Sequence, residues 1–225
     1  MVKPMNRVLY TGNRNASSWA FRAWLALKEQ SIPFEEVIVD IRRPQRWTNL
    51  AEIGQFSPPA AVPVLNEDGF IIYDSMAIIE YANELGGHTL LPADIKARAR
   101  ARSLASWQHS TFSRVCPCLS FESAFYPDKK ILSADEIRAI EHIYNVWEAS
   151  ITQFSGQYLV GDYSLADIMF VPSVVRFTSH YKANEKWPKV LGWINSLLSR
   201  PFVKEWLDEA QQLEPIYLPG YRNDP

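Results

Sequence analysis

The sequence has little cysteine, no excess of one charge and no long apolar run. Two cysteines in 225 residues are too few for a disulfide framework and are typical of a reduced, cytoplasmic protein. The chain holds 23 basic and 25 acidic side chains, of which 8 and 10 fall in residues 1–85. Neither half therefore concentrates the positive charge that a nucleic-acid binder exchanges for phosphate counterions. No apolar stretch approaches the roughly 18 residues of a transmembrane helix, and Met1 to Arg7 lack the apolar stretch of a signal peptide. We expect a cytoplasmic enzyme or binding protein, with neither nucleic acid nor membrane as partner.

What the sequence does have is a first part that mixes strands and helices. The order predicted is strand, helix, strand, helix, hairpin, helix, with Val37, Ile38 and Val39 typical of a buried strand. A helix between the first two strands predicts that they run parallel. The predicted segments are strands at 7–10 and 34–40, helices at 17–30 and 43–53, a hairpin of 62–65 with 70–73, and a helix that ends at Gly86 and Gly87.

Beyond Pro92 the strand patterns stop and helical periodicity takes over. The boundary falls in the linker 86–93, so we predict an α/β domain over 5–87 and an all-α domain over 93–225. The predicted helices lie at about 94–125, 133–154, 164–181, 187–199 and 201–211.

Four short motifs occur in this order along the two parts. They are Asn15–Leu25 (NASSWAFRAWL), Val62–Leu65 (VPVL), Asp74–Tyr81 (DSMAIIEY) and Ser164–Asp167 (SLAD). Together they resemble the cytosolic glutathione transferase superfamily, in particular its bacterial, serine-type and zeta-like members. The resemblance runs from Val8 to about Leu213. It implies a thioredoxin-like N-terminal domain, an all-helical C-terminal domain, a homodimer, and a detoxifying transferase that uses glutathione as co-substrate and no metal.

The resemblance also implies a thiol site at the start of the first helix. Ser17 is expected to face the glutathione sulfur, where a hydroxyl at a helix start stabilises a thiolate. Ser18 and Tyr10 are the alternatives, Tyr10 because other classes keep a catalytic tyrosine at the end of the first strand. Ser17 could instead only cap the helix.

Two further segments are implied as glutathione-binding. A cis Val62–Pro63 peptide would turn the Val62 backbone toward the cysteinyl part of glutathione. Asp74 and Ser75 open a helix, where both residue types are good caps. The family motif favours a second role, in which Ser75 and free N–H groups take the γ-glutamyl carboxylate and Asp74 accepts from its ammonium.

Ser164 and Asp167 form a near-capping box, with Asp in place of the usual Glu. We interpret this motif as a folding device and not as catalytic machinery.

One departure from the family concerns a cation. Related sequences often carry Gly and then Lys or Arg before the Val-Pro pair, whereas this chain has Ala60 and Ala61. Arg14, Arg43 and Arg46 are the candidates to meet the glycyl carboxylate in its place.

Aromatic residues indicate a second pocket for the electrophile. Trp19, Trp107, Phe112 and Phe121 are candidate walls, with the long helix bent at Pro117; packing between helices would explain these aromatics equally well. The neighbouring Cys116-Pro-Cys118 and His109 fit no usual zinc spacing, so no metal is predicted.

The function predicted is transfer of glutathione to a small hydrophobic electrophile, or its glutathione-dependent isomerisation. The double serine resembles zeta-class isomerases, but Trp19 stands where their cysteine usually follows. The alternative is a non-catalytic ligand- or partner-binding protein on the same fold, which the missing cation at Ala61 favours.

Overall fold

The computed structural model describes residues 6–112, 119–215 and 217–218. Its first part alternates strands and helices, and its second part is helical. The elements are β1 (Arg7–Gly12), α1 (Ser18–Glu29), β2 (Glu35–Val39), α2 (Arg46–Gly54), β3 (Val64–Glu67), β4 (Phe70–Tyr73), α3 (Ser75–Leu85), α4 (Ile95–Thr111), a short 3-10 turn (Glu122–Phe125), α5 (Ala134–Phe154), α6 (Leu165–His180), α7 (Pro188–Leu198) and α8 (Pro201–Gln211).

The four strands form one mixed sheet in the order β2-β1-β3-β4. β1 and β2 are parallel, as the helix between them predicted, and β3 runs antiparallel to both β1 and β4. This is the thioredoxin-like arrangement, so the predicted fold class is confirmed.

The chain divides into two compact units. The first takes the described residues up to His88 together with Trp206–Leu213, and the second takes Thr89–Glu205 with the described residues from Glu214 onward. The first unit thus includes most of α8, although 117 intervening residues of sequence belong to the second.

Two predictions about elements are wrong. Val37 and Ile38 are 37% and 54% exposed, because β2 is an edge strand of the sheet and not a buried central one. The continuous helix predicted over 94–125 ends at Thr111, and Leu119 to Phe121 precede a separate 3-10 turn. The predicted bend at Pro117 lies outside the described residues.

The capping box at the start of α6 is confirmed. The fully buried Asp167 accepts hydrogen bonds from the Ser164 N–H and hydroxyl, each at 2.8 Å. Its other oxygen accepts from the Leu159 N–H at 3.1 Å and the Trp193 indole at 2.8 Å. The motif therefore joins α6, α7 and the preceding loop of the second unit, which is the folding role expected of it.

Among the described residues, no helix combines the length and apolar character needed to cross a bilayer.

Candidate functional site

Three segments of the first unit leave the sheet at the same end, where β1 and β4 finish and β3 begins. Tyr10 of β1 is opposite Val64 at the start of β3, and Val64 is opposite Tyr73 at the end of β4. The loop that follows β1, the peptide that precedes β3 and the start of α3 therefore emerge side by side. These are the segments that hold Ser17, Val62 and Ser75.

Ser17 is the N-cap of α1. Its hydroxyl oxygen accepts a hydrogen bond from the Ala20 N–H at 3.3 Å, and its side chain is buried. In the part of the chain that the structure describes, the Ser17 hydroxyl has no acceptor, so its proton is available to a ligand atom. The structure shows the capping role of Ser17, and its contact with a thiol stays a prediction.

The loop before Ser17 is tightly constrained. The Asn13 carbonyl accepts from the N–H groups of Ala16 and Ser17 at 3.0 and 2.9 Å. A Cβ added to Gly12 would lie 2.8 Å from the Ser17 Cβ and 2.7 Å from Ile41 Cδ1. Such distances are shorter than packed carbons allow, so only glycine at position 12 lets Ser17 take this place.

The two alternative thiol donors are placed differently. Ser18 is buried as the first residue of α1 and has partners of its own. Tyr10 lies within β1, where its ring packs 5.1 Å from that of Phe56. Ser17 is the hydroxyl located at the cap of the helix.

At the start of α3, the structure shows which of the two residues caps the helix. The N-cap is Asp74 and not Ser75, because the Asp74 carboxylate accepts from the Met76 N–H at 2.7 Å. Asp74 has φ of 72°, a left-handed conformation that costs a non-glycine residue of the order of 1–3 kcal/mol and recurs at ligand sites.

Ser75 has a buried hydroxyl at the start of α3. The residue is 1% exposed, and its Oγ has no hydrogen bond within the described residues. Leaving such a group unpaired costs about 1–3 kcal/mol, whereas a carboxylate at the start of α3 would accept from it and from the free N–H groups of the first turn. The residues present therefore fit the γ-glutamyl end of glutathione.

The Val62–Pro63 peptide is cis, as the family resemblance implied. Val62 precedes β3 and lies outside its ladder. Neither its N–H nor its C=O is hydrogen-bonded among the residues described, so both remain for a ligand. The structure contains a second cis peptide, Arg43–Pro44, which the sequence analysis missed.

Arg14 does not replace the missing cation. Its guanidinium donates to both Glu36 oxygens at 2.5 and 2.7 Å and to Glu209 at 2.8 Å, and it is 6% exposed. Burial lowers the pKa of Arg14, but the hydrogen bonds to the two glutamates outweigh it and raise the pKa above its ordinary value.

Of the other candidates, Arg43 is exposed, while Arg46 is half-buried at the start of α2. The Arg46 Nε is buried and has no hydrogen-bond partner in the described part of the chain. Ala60, at the family's usual glycine position, has φ of 47°.

Three of the four candidate second-pocket aromatics belong to the second unit and one to the first. Phe112 and Phe121 are 2% and 1% exposed in the second unit. Phe112 packs edge-on to Trp107 at 4.9 Å and to Phe170 at 5.4 Å. Packing between helices, one of the two alternatives, accounts for these contacts. Trp19 belongs to the first unit, where it is 36% exposed beside Arg22.

Cys116 and Cys118 lie outside the described residues. Within the ranges that are described, no group of three or more His, Cys, Asp and Glu side chains is arranged to hold a metal.

The mixed sheet and its serine-capped first helix define a thioredoxin-like protein. Comparison with known proteins identifies the family. The family models named "Glutathione S-transferase, N-terminal domain" and "Glutathione S-transferase, C-terminal domain" match residues 16–85 and 121–210.

Relatives and solved structures agree. The maleylacetoacetate isomerase of Mus musculus is 31% identical over 169 residues, covering 74% of this chain and 76% of that protein. The glutathione S-transferase hmp2 of Hypomyces subiculosus is 28% identical over 192 residues, covering 80% and 89%. A glutathione transferase homologue from Burkholderia, solved with bound glutathione, is 26% identical with a TM-score of 0.68, covering 92% of this chain and all of that one. The chain belongs to the glutathione S-transferase family, and the predicted transferase function is confirmed at that level.

Proposed function

We propose that this protein binds glutathione at the end of the sheet where β1 and β4 finish and β3 begins. It then attaches glutathione to a small hydrophobic electrophile, or isomerises such a compound with it. The observation that carries the proposal is the buried Ser75 hydroxyl at the start of α3, which has no hydrogen-bond partner among the described residues. The strand register supports the proposal, because this register brings the segments that hold Ser17, Val62 and Ser75 to one end of the sheet.

In this proposal the γ-glutamyl group is held by α3. Its carboxylate accepts from the Ser75 hydroxyl and the N–H groups of the first turn, where the helix dipole favours negative charge. Its ammonium donates to Asp74. The Val62 backbone pairs with the cysteinyl peptide, which points the sulfur toward the loop that follows β1.

Ser17 then donates its hydroxyl proton in a hydrogen bond to the sulfur, so that the thiolate is stabilised. Lowering a thiol pKa from about 8.5 to about 6.5 raises the thiolate fraction at pH 7 roughly 25-fold. The nucleophilicity falls about 8-fold for a Brønsted slope near 0.45, so the net gain is about 3-fold. Holding the electrophile against the sulfur must supply most of the rate.

We include three finer assignments in the proposal. The protein is a serine-type member of bacterial kind, because Ser17 occupies the helix cap and the Burkholderia homologue covers nearly the whole chain. It acts as a homodimer, as the family resemblance implies. It works in the cytoplasm, since two cysteines provide no disulfide framework.

We also propose that Arg46 meets the glycyl carboxylate of glutathione. It is the candidate whose Nε is buried and without a partner in the described residues, whereas Arg14 is fully committed to Glu36 and Glu209. Arg46→Ala should weaken binding of glutathione several-fold but leave binding of its glycine monoethyl ester unchanged. Arg43→Ala is the matched control, and an equal effect of Arg46→Ala on both ligands would exclude this role.

The experiment that tests the function is a calorimetric glutathione titration combined with a chlorodinitrobenzene conjugation assay. Ser75→Ala should weaken glutathione binding by about 1–3 kcal/mol, because a charged acceptor loses its donor, while the melting temperature changes little. Equal affinities would remove Ser75 from the site.

The second candidate function is a non-catalytic glutathione- or partner-binding protein, which Ala61 in place of the usual cation favours. Glutathione binding without turnover on a broad panel of electrophiles would support it over the transferase.

A further inference from the structure

Most of α8 belongs to the first unit, and it contacts the loop that precedes Ser17. The Trp206 indole N–H donates to the Arg14 backbone carbonyl at 2.9 Å. The Arg14 guanidinium lies over the Trp206 ring, 4.1 Å from its centroid. The Glu209 carboxylate, one turn further along α8, accepts from Arg14 Nε at 2.8 Å.

The terminal nitrogens of Arg14 are bound by a residue of the sheet. Glu36 of β2 accepts from both terminal nitrogens of Arg14, and it also accepts from the Thr11 hydroxyl at 2.6 Å. Asn13, the residue before Arg14, accepts from the Ile41 N–H through its side chain at 2.8 Å. The loop is thus fixed by β1, β2 and α8 together, through both its backbone and a buried side chain.

The position of Ser17 follows from this loop. The Ser17 N–H donates to the Asn13 carbonyl, and the Ser17 Cβ lies where a side chain at position 12 would meet it, so this place depends on glycine at position 12. A shift of Arg14 or Asn13 therefore changes where the Ser17 hydroxyl points. Because a hydrogen bond weakens steeply with angle, the effect of Ser17 on a bound sulfur depends on the loop.

We propose that Trp206 and Glu209 are positioning residues for the thiol chemistry, and that they act through Arg14 on the orientation of the Ser17 hydroxyl. The inference rests on the proposed function, since it assigns to α8 a part in setting the acidity of the bound thiol. Neither residue touches glutathione in this scheme. Two neighbouring rings keep Trp206 in place, Phe21 stacked at 4.6 Å and Trp24 edge-on at 5.3 Å.

The main test is Trp206→Phe, which keeps an aromatic ring and the net charge but removes the donor to Arg14. The pKa of bound glutathione, read from thiolate absorbance, should rise by about 0.5–1 unit, the shift that one lost hydrogen bond can produce. At pH 5.5, where the bound thiol is protonated in both proteins, the dissociation constant for glutathione should change less than twofold, because Ser75 and Val62 are untouched. Trp187→Phe is the matched control, since it removes a similar indole bond, to Asn145 at 2.7 Å, within the second unit.

A double-mutant cycle shows whether the effect passes through Ser17. In a Ser17→Ala background, Trp206→Phe should produce no further shift of the thiol pKa. Full additivity of the two shifts would overturn the proposal, because Trp206 would then act by another route.

Glu209 offers a second variant that is safe for folding, because its side chain is half exposed. Glu209→Ala should raise the thiol pKa in the same direction, and Glu209→Gln, which keeps an acceptor for Arg14, should restore it. A loss of unfolding stability in these variants with no change in the thiol pKa would mean that the contacts are only structural.

Amide hydrogen exchange tests the positioning without any ligand. Trp206→Phe should speed exchange at the Ala16, Ser17 and Ala20 amides at least several-fold, while Trp187→Phe should not. Unchanged exchange at these amides overturns the inference. If exchange accelerates but the wild type shows no bound glutathione thiolate, the proposed function fails and the control of the Ser17 loop by α8 stands.

Discussion

Ser17 caps α1 and, in the proposed function, also donates to the thiol. Its oxygen accepts from the Ala20 N–H, which stabilises the first turn of α1, and its proton is left for a ligand. Because an acceptor and a donor bond can coexist on one hydroxyl, capping the helix does not compete with contacting a thiol.

We expect Ser17→Ala to raise the pKa of bound glutathione by about 1–2 units, since a charge-assisted hydrogen bond of roughly 1.5–3 kcal/mol is lost. Ser18→Ala is the control and should not shift it, because Ser18 has other partners. The pH titration of the thiolate absorbance measures both. A shift with Tyr10→Phe and none with Ser17→Ala would assign the tyrosine-type arrangement instead.

Ala60 has a backbone conformation that suits glycine. A φ of 47° costs alanine about 1–2 kcal/mol. Glycine adopts this φ without strain and lowers the stability by only about 0.4–1 kcal/mol, because it increases the entropy of the unfolded chain. Ala60→Gly should therefore raise the free energy of unfolding by about 0.5–1 kcal/mol in urea denaturation. Ala61→Gly, at a residue without positive φ, should lower it, and the same sign for both variants would contradict the argument.

Among the elements, the sequence predicted the sheet and most helices because hydrophobic spacing and capping are local. The parallel β1–β2 pair, the hairpin and the Ser164–Asp167 capping box follow from patterns within a few residues. The exposure of Ile38 cannot be predicted from such a local pattern, because whether a strand lies at the edge depends on the strand order of the whole sheet.

The candidate site shows the same division. Recognisable motifs contain Ser17, the cis Val62–Pro63 peptide and Ser75. No motif indicates that Arg14 hydrogen-bonds to Glu36 and Glu209. The hydrogen bond from Arg14 to Glu209 spans 195 residues of sequence. No periodicity or spacing reports such a pair, and only the fold reveals that Arg14 is unavailable to glutathione.

The start of α6 gives a prediction about pH. Burial raises the pKa of Asp167 to about 6, although hydrogen bonds from Leu159, Trp193 and Ser164 act against the rise. The ordinary value in an unfolded chain is about 3.9, so between about pH 4 and 6 the folded protein binds the proton more tightly. The stabilisation that comes from protonating Asp167 is therefore present at the acidic end of this window and is lost as the pH rises through 6.

Asp167→Asn removes this titration. The unfolding free energy of the wild type minus that of the variant should be greater at pH 4.5 than at pH 7.5, by about 2 kcal/mol. Urea denaturation at the two pH values measures the difference. A difference that does not vary with pH would show that Asp167 keeps an ordinary pKa in the folded protein.

At the scale of the whole molecule, the first unit depends on residues from the end of the sequence. Trp206 and Ala210 are fully buried, and Trp206 packs against Phe21 and Trp24. Removing a buried tryptophan costs about 3–5 kcal/mol, which is a large part of the stability of a small domain.

We expect residues 1–88 alone to be unstable at 37 °C, and a fusion of 1–88 to 201–213 through a flexible Gly/Ser linker to be folded. Circular dichroism melting of the two chains measures this, with a fusion that carries Trp206→Ala as the control. Identical melting of all three would show that α8 contributes nothing to the first unit.

This dependence also sets an order of events during synthesis. A ribosome adds roughly 5–20 residues per second, and domains generally fold as they emerge. The first unit begins to emerge first, yet Trp206 follows His88 by more than a hundred residues, a wait of roughly 6–24 s at that rate. A nascent chain in this interval carries the Arg14 loop without its partner helix, and a product released before Trp206 cannot complete the unit that was translated first.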